Sequence, residues 1–341
     1  MKVSACMMVK NEEALLPQCL DSIKDWIDEI IIVDTGSTDR TVEIAKSYGA
    51  KVYHHHWQND FSLHRNQSIK YATGDWIFII DADEVVLSDM TPFKERLKRI
   101  PPNISSLVVR LHEVSDGMKN TSWLGIRFFR RSSNVQYKGI VHNKVTFDGG
   151  TAATDIEMRH FGYSLPEEKM AKKRNRTEKL LLNRIRKNKN DHAAMYYLCQ
   201  MKIGQKKYKE AEDWGMRFFR TVTVGPEDFQ FYSVMYFFMA WVALQQGDGN
   251  KTVAWALKGL EYYPDDLDLN YIMARVGYQS ENDEWLVKYG KRYLELAEKR
   301  HKEENPNTFV SEIDPVLWAN RTIHSDDEKI IKGIKTLLEY V

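Results

Sequence analysis

Gly74-Asp75-Trp76-Ile77-Phe78-Ile79-Ile80-Asp81-Ala82-Asp83-Glu84 is the stretch that decides the fold. A continuous apolar run that ends abruptly in carboxylates is the pattern of a strand buried on both faces of a parallel sheet. The same pattern precedes it: residues 3–9 form one apolar run, and Glu29-Ile30-Ile31-Ile32-Val33 forms a second that ends at Asp34. Lys51-Val52-Tyr53 predicts a short third strand. Helical stretches lie between. Residues 12–26 carry Leu15, Leu16, Cys19, Leu20 and Ile23 at helical spacing, residues 41–48 are followed by Gly49, and residues 62–72 are closed by Gly74. Strand and helix alternating at these lengths predict a parallel α/β sheet with right-handed crossovers. After Pro101-Pro102 the pattern turns to β, with strands expected at 106–111, 125–129 and 144–147 as a mixed extension.

From Pro166 the character changes. Residues 167–187 predict a basic, Leu-containing helix, and everything beyond is helical. Residues 196–219, with a turn at Gly204, are echoed by 236–263, with a turn at Gly247 and a closing Pro264; residues 271–296 form a weaker third copy. Small residues at close approaches (Ala211, Ala240, Ala254), turn glycines and the closing proline resemble tetratricopeptide repeats. Residues 305–315 read as a polar loop before a final short helix. The expected division is an α/β domain at 1–165, a linker helix at 166–190 and an all-α tetratricopeptide-like domain at 191–341.

Composition removes several function classes. A chain of 341 residues with formal net charge +1 has no global field of the kind a dedicated nucleic-acid binder needs. No run approaches the roughly 20 apolar residues that span a bilayer. The apolar start is broken by Lys10-Asn11-Glu12-Glu13 too early for a signal peptide, so a cytoplasmic location is expected. Cys6, Cys19 and Cys199 form no Cys-x-x-Cys pair, which argues against a disulfide framework and a structural zinc site. No Gly-x-Gly-x-x-Gly follows the first strand, and neither a P-loop nor a Gly-x-Ser-x-Gly elbow occurs.

The polar residues that remain informative sit where the predicted parallel strands end, the edge at which open α/β sheets bind ligands. Asp34 leads into Thr35-Gly36-Ser37-Thr38-Asp39, where Gly36 allows a tight turn and the hydroxyls or Asp39 can cap the next helix. Asp81, Asp83 and Glu84 repel one another at the end of a buried strand unless a cation neutralises them. A hard divalent ion, Mn²⁺ or Mg²⁺, bridging carboxylates to substrate phosphates is the simplest answer.

Four segments stand in the order and spacing of family 2 glycosyltransferases of the GT-A fold, which residues 1 to about 160 resemble: Met8-Val9-Lys10-Asn11-Glu12-Glu13; Val33 through Asp39; Asp60-Phe61-Ser62 with Arg65-Asn66; and Gly74-Asp75-Trp76 leading to Asp81-Ala82-Asp83-Glu84. Phe128-Phe129-Arg130, Tyr137-Lys138-Gly139 and Val141-His142 extend the resemblance. With the helical region behind it, the whole is similar in plan to bacterial peptide S-glycosyltransferases of the sublancin type. The resemblance implies metal-dependent, inverting transfer of a hexose or N-acetylhexosamine from a nucleotide-diphosphate sugar, a UDP-sugar first, to a hydroxyl or thiol on a peptide or glycan. It implies a donor site of Val9, Asn11, Glu12, Asp34, Ser37, Arg65, Asn66, Asp81 and Ala82. Asp34 would take the base, Glu12 would lie near the ribose, Arg65 near the base or diphosphate, and Asp81 at the ribose or metal-bound water. Asp83 would ligate the metal, with His142 and His160 competing for a further place. Related sequences often carry Glu where this chain has Asn143, and an amide cannot take a proton. That leaves Glu113, Asp116 and Glu84 as candidate bases. Trp123 is a candidate acceptor-groove residue. The alternative is a partner-binding protein that works through its repeats, with a decayed transferase domain.

Three other features read more simply as structure. In His54-His55-His56 successive side chains point to opposite faces, so at most two could share one ion. The basic run 169–176, continuing to Lys189, could contact phosphates of an anionic acceptor but is expected to be the solvated side of a linker helix. The aromatic cluster 229–241 is expected to be repeat core or a homodimer face.

Overall fold

The computed structural model describes residues 1–113, 122–162, 167–222 and 232–304, with Lys332, Lys335, Thr336 and Leu338. Two compact units have Met1–Arg174 and Asn175–Glu304 as their main described segments. In the first unit the apolar runs become strands and the amphipathic stretches pack on them. Its order begins β1 (Val3–Val9), α1 (Leu16–Asp21), β2 (Glu29–Asp34), α2 (Thr41–Ser47), β3 (Lys51–His54), α3 (Phe61–Tyr71) and β4 (Trp76–Ile79). It continues through β5 (Glu84–Val86), α4 (Phe93–Lys98), β6 (Ile104–Glu113), β7 (Ser122–Arg130), β8 (Gln136–Lys138), β9 (Lys144–Thr146) and β10 (Gly150–His160).

Eight strands form one sheet in the order β3-β2-β1-β4-β7-β6-β10-β5, and β8 and β9 form a separate hairpin. β1, β2, β3 and β4 pair in parallel, so their C-terminal ends share one edge. β7 is antiparallel to both β4 and β6. β10 runs parallel to β6 and antiparallel to β5, which closes the mixed half. Trp76, Phe78, Phe93 and Phe128 are fully buried, and the Phe78 and Phe128 rings stack at 4.4 Å. Each such side chain contributes about 1.5–3 kcal/mol by leaving water.

The sheet departs from expectation in two places. The helix expected at 12–26 shrinks to α1, because Pro17 near its start lacks an amide hydrogen and is tolerated only in a first turn. β5 and β10 were not anticipated. β10 is rich in Thr and Ala, and only Ile156 and Met158, alternating with Glu157 and Arg159, give it a strand's period.

α5 (Glu167–Lys187) leads into six helices of the second unit: α6 (His192–Gly204), α7 (Tyr208–Thr221), α8 (Tyr232–Gln245), α9 (Gly249–Tyr262), α10 (Leu267–Gln279) and α11 (Asp283–Glu304). They associate as consecutive hairpins, α6 with α7, α8 with α9 and α10 with α11. One turn serves all three: a left-handed residue follows the first helix, and the next amide bonds back into it. The left-handed residues are Lys206 (φ 57°), Gly247 (φ 77°) and Glu281 (φ 54°). The returning bonds are Lys207 N to Lys202 O, Asp248 N to Ala243 O and Asn282 N to Gly277 O, at 2.9, 2.9 and 2.8 Å. The expectation that Gly204 makes the first turn is therefore corrected: Gly204 ends α6, and Lys206 carries the left-handed backbone. Tyr236, Phe237 and Phe238 are buried as repeat core, whereas Phe229 and Phe231 lie outside the described residues. No helix among the described residues is long and apolar enough to cross a membrane.

Candidate functional site

At the shared C-terminal edge, the loops after β1 and β2 are bound to each other. Val9 O accepts the amide and hydroxyl of Thr35 at 2.9 and 3.0 Å. Asn11 adopts a left-handed backbone (φ 57°), a conformation Asn tolerates. Its amide donates to Ser37 Oγ at 3.0 Å and its Oδ1 accepts Thr38 N at 2.8 Å. The Glu12 amide donates to Thr41 Oγ1 at 2.7 Å. Val9, Asn11 and Ser37 are thus brought together, and their described bonds shape the edge.

Asp34 is 3% exposed and accepts the amides of Gly36 and Ser37 at 3.2 and 3.0 Å, with His54 Nδ1 at 3.2 Å. Burial opposes its charge, but bonds from Ser37, His54 and Gly36 outweigh burial and hold its carboxyl below the ordinary value. His54 was read as a strand-end residue; here it also faces the candidate base-binding carboxylate. His55, on the opposite face, meets Tyr71 Oη at 3.0 Å.

Asp81 and Glu84 are each neutralised by an arginine. Arg65, from α3, donates to both oxygens of Asp81 at 2.8 Å and lies 5.5 Å from the Tyr137 ring. Burial raises the Asp81 carboxyl, but Arg65 and Arg127 outweigh it and bring it down to about 2. Arg127, from β7, donates to Glu84 Oε1 at 2.5 Å, and Glu84 Oε2 accepts Asp81 N at 3.0 Å. Glu84 is 1% exposed, and burial keeps its carboxyl above the ordinary value despite Arg127. Glu84, one of the candidate bases, is enclosed, and both its oxygens are engaged in holding the turn. Arg127 was not anticipated. A lone arginine within Ile126-Arg127-Phe128-Phe129 was the available signal, since a buried cation needs an acid partner.

Asp83 faces His160 instead, with Oδ2 3.5 Å from Nε2. Burial lowers the imidazole's proton affinity, but Asp83 outweighs burial and raises it above the ordinary value. Glu12 lies in the same field, where burial first, then Asp83 and Asp81, push its carboxyl up to about 7. Gly162 leaves room for the pair: a Cβ there would stand 2.5 Å from His160 Nε2 and 2.7 Å from Asp83 Oδ2.

His142 does not join them. It occupies the exposed tip of the β8–β9 hairpin (φ 50°), and no group of three or more His, Cys, Asp or Glu among the described residues is set to hold a metal. Of the two histidines expected to compete for a place beside Asp83, His160 faces it and His142 does not. An acid oxygen and an imidazole nitrogen with room beside them fit a divalent ion that draws its remaining ligands from water and substrate.

Asn66, expected at the donor, braces the β8–β9 hairpin in this structure. Its amide donates to Tyr137 O and accepts Tyr137 N, both at 2.8 Å, while Phe61 N donates to Ile140 O at 2.9 Å. Asn143 donates to Gly139 O and fixes the same hairpin's turn, a structural use for the amide found in place of a base. Ala82 is buried in the turn. Trp123 on β7 lies 5.7 Å from the Arg127 guanidinium and packs partly on the core. Glu113 ends β6 directly beside His160 of β10 in the ladder. Asp116 lies outside the described residues.

Residues 4–153 match Glycosyl transferase family 2. The chain is 43% identical over 145 residues to a TPR repeat-containing protein of Synechococcus elongatus, covering 42% of this chain and 35% of that protein. It is 29% identical over 189 residues to the SPbeta prophage-derived glycosyltransferase SunS of Bacillus subtilis, covering 52% of this chain and 45% of SunS. The chain thus spans less than half the length of these relatives. Among solved structures, S. aureus TarS 1-349 in complex with UDP-GlcNAc aligns with TM-score 0.43 and 10% identity, over 77% of this chain and 92% of that chain.

Proposed function

We propose that this chain, whose residues 4–153 match Glycosyl transferase family 2, transfers a hexose or N-acetylhexosamine from a UDP-sugar to a hydroxyl or thiol of a peptide or glycan, with inversion. The observation that carries the reading is the convergence, on one parallel-sheet edge, of Asp34 with the Arg65–Asp81 and Asp83–His160 pairs. Asp34 receives the imino edge of the base, which enters beside the exposed His54. Arg65 fixes both oxygens of Asp81, so the turn that presents Asp83 is preset before substrate arrives.

Asp83 and His160 would hold Mn²⁺ or Mg²⁺, which when bound offsets the charge that develops on the departing diphosphate. In a single displacement the acceptor oxygen or sulfur bonds to the anomeric carbon as the bond to the diphosphate oxygen breaks. The electron pair leaves with the diphosphate, and the acceptor proton passes to a carboxylate. Our candidate for that base is Glu113, whose backbone ends β6 opposite His160 in the ladder.

The test is thermal stabilisation and hydrolysis across a panel of nucleotide-sugars, with and without Mn²⁺, in wild type and Asp83→Ala. One donor should stabilise the wild type only with metal, and the variant should lose that response. A wild type that responds to no donor refutes the assignment.

A further inference from the structure

We propose that the groove between α7 and α9, the second helices of two consecutive hairpins, is a docking site for an acidic peptide. The peptide lays an apolar side chain on Trp255 and sets carboxylates against Arg217 and Arg220. The groove encloses about 700 Å³, and its lining combines an apolar floor with an uneven arrangement of charge.

Trp255 of α9 is half-buried and held from behind by the Phe219 ring, 4.9 Å away. Met216 of α7 lines the same groove. The Trp255 indole nitrogen has no acceptor among the described residues, which leaves an N–H for a peptide carbonyl beside an apolar surface.

At one end of the groove the charges cancel. Lys209 pairs with Glu212 and Asp213 at 3.4 and 3.2 Å, and Lys251 pairs with Glu212 at 3.6 Å. At the other end they do not. Arg217 rests on the Trp214 ring at 5.3 Å, and neither it nor the exposed Arg220 has an acid partner among the described residues. Residues three apart share a helix face, so the two guanidinium groups repel each other until an anion neutralises them.

A carboxylate suits them, because a planar guanidinium donates two parallel N–H bonds to its two oxygens. A nucleic acid suits the groove less well, since a continuous polyanion would also meet Glu212 and Asp213. The fitting partner is a chain whose acids are confined to one end and followed by an apolar side chain. Trp and Arg are the side chains that most often dominate such contacts. Docking here requires nothing of the donor site.

The full chain, immobilised, selects from a random peptide library displayed on phage, and the selected peptides are measured by fluorescence anisotropy. The wild type should enrich sequences with Asp or Glu within a few residues of Leu, Phe or Trp. Changing those acids to amides should weaken binding about tenfold. Arg217→Gln with Arg220→Gln should weaken it by a similar factor at an unchanged melting temperature, and Lys291→Gln, on α11, should bind as wild type. Arg217→Glu with Arg220→Glu should reverse the preference towards the same peptide with Lys in place of its acids, a gain that misfolding does not produce. Selected peptides without acids, an affinity indifferent to the arginine variants, or no selected peptide would overturn the proposal and leave Arg220 as a cation of the last helical turn. Self-association of the wild type in sedimentation, abolished by Arg217→Glu with Arg220→Glu, would overturn it too, by making the groove a contact between copies.

Discussion

Replacing Arg127 by Met tests how the acidic turn is held. Glu84 is 1% exposed, and its Oε1 bond is to Arg127, so the variant leaves a buried carboxylate whose remaining described partner is the Asp81 amide. Removing one partner of a buried ion pair costs about 3–5 kcal/mol. For a unit of this size that lowers the melting temperature by roughly 6–20 °C. The loss carries a pH signature. Glu84 already has a carboxyl above its ordinary value in the fold, so burying it costs nothing below the unfolded value of about 4.3, where both states are protonated. The cost appears as pH rises through that value and is complete above the folded one. Without Arg127 the folded value rises further, so the deficit should be largest near neutral pH and shrink towards pH 4. Adding Glu84→Gln removes the stranded charge and should restore more than half of the lost stability. Urea unfolding of wild type, both single variants and the double variant at several pH values measures all of this. A loss under about 1 kcal/mol, a deficit independent of pH, or a double variant no better than Arg127→Met refutes the reasoning.

Gly162→Ala would press a methyl group onto His160 Nε2 and Asp83 Oδ2, at 2.5 and 2.7 Å, and should weaken Mn²⁺ binding by calorimetry about 10–100-fold. Asn66→Ala orphans the amide and carbonyl of Tyr137 and should cost about 1–3 kcal/mol for each group in urea unfolding. Lys206→Gly relieves a left-handed backbone (φ 57°) and should raise the urea midpoint, gaining about 1 kcal/mol.

The parallel half of the sheet was legible because β1, β2 and β4 are buried on both faces and need unbroken apolar runs. β10 was not, because its Thr151-Ala152-Ala153-Thr154 segment packs through small side chains that carry no run or moment. The acidic site was legible by position, since Asp34, Asp81 and Asp83 stand where parallel strands end. The partition of those acids among Arg65, Arg127 and His160 was not. It depends on which way each side of a four-residue turn faces, and the partners arrive from α3, β7 and β10.

The brace on the β8–β9 hairpin has a consequence for how such a domain diversifies. Asn66 and the Phe61 amide bond to the hairpin through its main chain, at Tyr137 and Ile140. Main-chain attachment is blind to side-chain identity, so the exposed tip around His142 is free to drift in sequence while the helix bearing Arg65 keeps its register. A lineage can then rewrite what that tip recognises by point substitution, with no compensating change in the turn that carries Asp81 and Asp83.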